Sequence, residues 1–84
     1  MNACIITFRS VTPAQRGEGV LKRAAMACTL QRTPRHMEEQ GCGYGLKLSC
    51  HLVPEAVALL RSQQIPFRKV YLFRSGGRAE EMTL

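Results

Sequence analysis

Apolar runs and amphipathic stretches alternate along the chain in a way that assigns most of it to strands and helices. Ala3-Cys4-Ile5-Ile6-Thr7-Phe8 is apolar and β-branched with no helix breaker, which suits a strand buried on at least one face. A central strand is expected there. The pattern changes at Ser10-Val11-Thr12-Pro13, where Thr12 suits an N-cap and Pro13 the first helical position, since its missing N–H is harmless there. Ala14, Gly17, Leu21, Ala24 or Ala25, and Cys28 then recur every three or four residues, with Gln15, Arg16, Glu18, Lys22 and Arg23 on the other side. That is an amphipathic helix. Gly17 and Gly19 each weaken its intrinsic helicity by up to about 1 kcal/mol relative to alanine, so close packing on a sheet must support it.

Cys28 to Thr33 alternates apolar and polar residues as a half-buried or edge strand does, and Thr33-Pro34 ends it. Tyr44-Gly45-Leu46-Lys47-Leu48-Ser49-Cys50 alternates strictly, placing Tyr44, Leu46, Leu48 and Cys50 on one face. Glu55 to Gln64 is rich in helix formers, opens on an acidic residue and stops before Pro66. Lys69 to Phe73 reads as a last strand, closing a single domain over residues 1–74, and residues 75–84 as a flexible tail. The order is β-α-β-β-α-β. Short connections and right-handed crossovers then predict an α+β, ferredoxin-like sandwich: four antiparallel strands in the order 4-1-3-2, with two helices on one face.

Composition narrows the class. Eighty-four residues, 45% apolar and 21% charged, make one small folded domain and exclude wholesale disorder. Met1 to Phe8 lacks a basic leader with a long apolar core, and no apolar run approaches the roughly 20 residues that span a bilayer. A cytoplasmic protein with no membrane partner is expected. Without a secretory signal, Cys4, Cys28, Cys42 and Cys50 are expected as reduced thiols rather than a disulfide framework. The net charge of +6 is spread along the chain and suits an anion, an acidic protein surface or nucleic acid without choosing among them.

The stretch Glu39-Gln40-Gly41-Cys42-Gly43-Tyr44-Gly45 carries the candidate chemistry. Three glycines around a cysteine let other groups approach a thiol at the tip of a bent backbone. Cys42 is therefore the candidate functional atom. In the predicted topology its loop lies at the end of the sheet where the first helix starts, near Arg9 and Ser10. Helix N–H groups there, with Arg9 or Arg35, would lower a thiol's pKa.

Cys50 lies eight residues further on, roughly 26 Å along an extended strand and far beyond the roughly 7 Å Cα reach of a disulfide. Cys4, Cys28 and Cys50 gather at the opposite end, where Cys4 and Cys50 can face each other on adjacent strands. Their spacings contain no CxxC pair or zinc pattern. They are expected as small buried hydrophobes, with His36 and His51 as surface or strand-end residues and no metal or cofactor.

The succession Ile5-Ile6-Thr7-Phe8 with a Ser/Thr turn, Thr33-Pro34-Arg35, Cys42-Gly43 opening an apolar strand, and a closing helix followed by Val70-Tyr71 resembles the small bacterial family of selenium/sulfur carrier-like proteins. The resemblance covers most of residues 3–73. It implies that Cys42 holds sulfur or selenium as a persulfide-like adduct, taken from a donor protein and surrendered to an acceptor enzyme. Arg35 and Arg9 would stabilise the thiolate or dock an acidic partner, with Ser10, Gly43 and Tyr44 shaping the site. Such a chain is a carrier or binding protein rather than a stand-alone enzyme.

Two other classes share this scaffold. A weak nucleic-acid-binding module is disfavoured, because strands one and three offer only Phe8 and Tyr44 for stacking, near their ends. A regulatory or assembly module could use Tyr71 and Phe73 near a sheet edge to form a homodimer. Fold alone does not decide.

Overall fold

A computed structural model describes residues 3–32, 43–73 and 79–82. Strand β1 (Ala3–Phe8) is followed by helix α1 (Val11–Arg23), strands β2 (Thr29–Arg32) and β3 (Tyr44–Ser49), a 3-10 turn (Cys50–Leu52), helix α2 (Val53–Ser62), and strands β4 (Val70–Phe73) and β5 (Ala79–Met82). The sheet runs β2-β3-β1-β4-β5, and all four pairings are antiparallel. Its first four strands stand in the predicted order. The fifth departs from prediction: Ala79–Met82 pairs with β4 where a flexible tail was expected, because the outer edge of β4 supplies the hydrogen bonds that Ala-Glu-Glu-Met has little intrinsic tendency to seek.

Alternation along β1 sorts the two faces. Cys4, Ile6 and Phe8 join Leu46, Leu48 and Val70 in one core cluster with the inner faces of both helices. Ala14, Gly17 and Leu21 of α1 are buried against that cluster, as the helical spacing predicts. At Gly17 the layers come close together. A Cβ there would lie 3.1 Å from Leu60, 3.2 Å from Phe8 and 3.3 Å from Leu46, so the absent side chain is what lets α1 touch sheet and α2 at once.

Both helices start and stop differently from the sequence expectation, for identifiable reasons. Ser10, not Thr12, takes the N-cap position of α1, without a side-chain cap bond, since a proline is tolerated anywhere in the first turn where its N–H has no partner. It ends at Arg23, short of Cys28, because Ala25 turns left-handed (φ 63°). Ala25 N–H then donates to Lys22 O, and Met26 N–H to Leu21 O at 2.9 Å. α2 ends the same way: Gln64 has φ 57°, and Ile65 N–H donates to Leu60 O. In each case the residue after the left-handed one, Met26 or Ile65, is buried, completing a Schellman motif with an apolar seal.

Candidate functional site

Tyr44 pairs with Phe8 and Arg32 with Tyr44, so the last row of the sheet at this end reads Arg32, Tyr44, Phe8. Continuing the register brings Gly43 level with Arg9. Gly43 is buried and Tyr44 half-buried, while Arg9 and Ser10 are exposed. Phe8 is fully buried. Ser10 is extended (φ −147°, ψ 172°) and makes no side-chain cap bond, and the first turn of α1 contains no acidic residue. Neither the Ser10 side chain nor a carboxylate of that first turn thus meets its opening N–H groups and the positive end of its dipole.

Of the predicted site residues, Arg9, Ser10, Gly43 and Tyr44 are brought to this end. Cys42 and Arg35 lie outside the described residues, as does His36. Two further groups belong to the same end. The Arg32 guanidinium stands 6.0 Å from the centre of the Tyr44 ring, within cation–π range. On the other side, Thr7 anchors the chain that leads into β4. Its N–H donates to Lys69 O (2.7 Å), its hydroxyl donates to the same carbonyl (3.1 Å) and accepts from Lys69 N–H (3.0 Å), and Arg68 N–H donates to Thr7 O (2.7 Å). These bonds fix Arg68 and Lys69 beside the end of β1.

The opposite end holds the other cysteines, and one expectation for them is corrected. Cys4 and Cys50 are joined by a disulfide, with Cα atoms 5.1 Å apart, rather than standing as reduced thiols. The strand ends at Ser49, and the 3-10 turn of Cys50–Leu52 carries Cys50 back over β1. Cys28 remains a free thiol. Thr29 pairs with Lys47 and Leu48 with Cys4, so Cys28 is level with Cys4 across two strand spacings, about 10 Å and beyond disulfide reach. Burial, and next the charge of Glu18, push the Cys28 thiol above its ordinary value, with Lys22 opposing. Lys22 is itself paired with Glu18 at 3.3 Å. Cys28 borders an open cleft of about 560 Å³ that also touches Lys22, Lys47 and Ser49.

Among the described residues, no three His, Cys, Asp or Glu side chains are grouped to hold a metal ion, and no helix is long and apolar enough to cross a membrane. A model of the Se/S carrier protein-like family matches residues 3–72. The chain belongs to that family. The matched span begins with β1, ends one residue short of the end of β4 and includes Cys42. The family is described by likeness to selenium and sulfur carriers. No characterised protein and no solved structure matches the chain.

Arg32 was missed at the sequence level, although alternation already put it on the face of Leu30. Only the register, which brings Arg32 opposite Tyr44, connects it to the site.

Proposed function

We propose that the protein carries sulfur or selenium on Cys42 and passes it to a partner enzyme, using a ferredoxin-like core extended by one edge strand. The observation that carries the proposal is the register. Tyr44 opposite Phe8 holds Gly43, the residue after Cys42, level with Arg9 at the uncapped N-terminus of α1. A thiolate at that place is stabilised by helix N–H groups and by Arg9, with Arg35 seven residues before Cys42 as a second cation.

In the transfer, the Cys42 thiolate attacks the outer sulfur of a donor cysteine persulfide. The S–S bond of the donor breaks, its cysteine leaves as a thiolate, and a new S–S bond forms on Cys42. The oxidation level of the sulfane sulfur is conserved, so no external oxidant enters. The reverse attack by an acceptor thiolate releases the cargo. Selenium follows the same path through a selenylsulfide. Tyr44 and Gly43 shape the rim, and Ser10 adds a hydroxyl beside it.

Intact mass of the protein, purified from cells without reductant, tests this directly. A species heavier by one sulfur or one selenium atom is expected in the wild type and absent from Cys42→Ser. An adduct that persists in Cys42→Ser, or that maps to Cys28, overturns the assignment.

A further inference from the structure

Two glycines stand close together in α1, and packing explains only one of them. A Cβ on Gly17 would press on Leu60, Phe8 and Leu46, whereas a Cβ on Gly19 would meet nothing within 4 Å. Glycine weakens a helix interior relative to alanine, yet no neighbour in the fold needs the space left at Gly19. What the missing side chain does is leave the backbone open to an outside group.

Gly19 lies in a cleft of about 320 Å³ between α1 and the turn that follows α2. Arg16, Gly19, Val20 and Arg23 line one side, at the i, i+3, i+4, i+7 spacing of a single helix face. Gln63 and Ile65 line the other, held by Gln63 N–H donating to Leu59 O (3.0 Å) and Ile65 N–H to Leu60 O (2.9 Å). Gly19 and Val20 are half-buried and Ile65 is buried, so the floor is apolar, while Arg16 and Arg23 are exposed at its two ends. Those arginines stand about 10 Å apart along the helix axis. Glu18 is taken by Lys22, and neither Arg16 nor Arg23 meets a carboxylate among the described residues.

A group that fills this cleft must offer an apolar ridge to the floor and an anion to each end. Carboxylates seven residues apart on a helix have the same rise as Arg16 and Arg23 and suit the guanidinium forks bidentately. The side chains between them then meet Gly19 and Val20. None of the described lining residues is aromatic, so the bases of a single-stranded nucleic acid would find no ring to stack on. A second copy of this chain does not supply the match, because α1 holds Glu18 alone and α2 Glu55 alone. We infer that the face of α1 carrying Arg16, Gly19 and Arg23 docks an amphipathic helix of another protein, with two carboxylates two turns apart and small or apolar residues between them. The docking needs no cargo on Cys42, so it goes beyond the carrier reading and stands without it.

Titration of the ¹⁵N-labelled full chain with a helix-stabilised peptide, bearing two glutamates seven residues apart with leucine and alanine between them, tests this. Amide shifts confined to residues 15–23 and 63–65 are expected, and a peptide of the same composition with its glutamates on opposite faces should bind about tenfold more weakly. Arg16→Glu/Arg23→Glu should abolish the shifts. Gly19→Leu separates docking from folding: leucine is the better helix former, so the urea midpoint should hold or rise, while binding falls because the side chain fills the approach. Wild-type binding by Gly19→Leu overturns the inference, as do equal affinities for the two peptides or shifts spread equally over Arg9, Lys47 and Arg61. Tighter binding of a single-stranded oligonucleotide at the same residues, or self-association that produces the same shifts without peptide, overturns it by naming a different occupant.

Discussion

The two ends of β1 are held by different forces. At the Cys4 end, the chain is closed covalently through Cys50 and packed around a fully buried sulfur. At the Phe8 end, exposed arginines, an uncapped helix N-terminus and backbone bonds from Thr7 define the surface. The contrast suggests a division of labour among cysteines. A thiol that must meet partners needs water, cations and N–H groups, whereas a thiol used to fix the fold needs a buried neighbour at bonding distance. One strand length separates the two conditions.

The largest expected effect comes from removing the covalent closure. A disulfide between residues 46 positions apart restricts the unfolded chain by an entropy worth about 4 kcal/mol on the loop-closure model. Reduction, or Cys50→Ser, should lower the free energy of unfolding in urea by about that amount, most of the stability of a domain this small. Cys42→Ser should leave it unchanged. Equal stability with and without reductant would mean that packing alone secures this end.

Next in size is a difference in thiol reactivity. Because burial and Glu18 raise the Cys28 pKa, a smaller fraction of it is thiolate at neutral pH than for an unperturbed cysteine. Its alkylation rate should therefore keep climbing beyond the alkaline pH at which a free thiol levels off. Cys42 should level off at lower pH and react about tenfold faster near neutrality. Glu18→Gln sharpens the comparison, since losing that negative charge should lower the Cys28 pKa and speed its alkylation while Cys42 is unaffected. Mass-resolved labelling across a pH series reads both cysteines in one sample. Matching profiles would dissolve the distinction between the ends.

Much of this arrangement was legible in the chain itself. The alternation from Tyr44 to Cys50 identified a strand and its buried face, and the small residues Ala14 and Gly17 marked where α1 meets the sheet. Helix ends were less legible, because Ala25 and Gln64 take left-handed conformations at positions where no glycine advertises a stop. β5 was hidden because its pairing depends on the free edge of β4, not on its own residues. The disulfide was half visible: adjacent strands could bring Cys4 and Cys50 together, but an argument from compartment favoured free thiols. At the other end, Arg9 and Ser10 follow from topology, while the part played by Arg32 depends on which residue stands opposite Tyr44.

That pairing supports the smallest and most diagnostic measurement. A guanidinium 6.0 Å from the Tyr44 ring centre, on a side chain exposed to water, should couple to the ring by about 0.5–1 kcal/mol. A double-mutant cycle of Arg32→Ala and Tyr44→Leu, read by urea unfolding, isolates that term from the packing each residue loses alone. Coupling of this size means that Arg32 is held over the ring and closes one of its faces. Coupling near zero means that Arg32 swings clear and leaves Tyr44 open. The Phe8 end would then carry exposed arginines beside an open aromatic ring, the combination on which bases of a single strand stack.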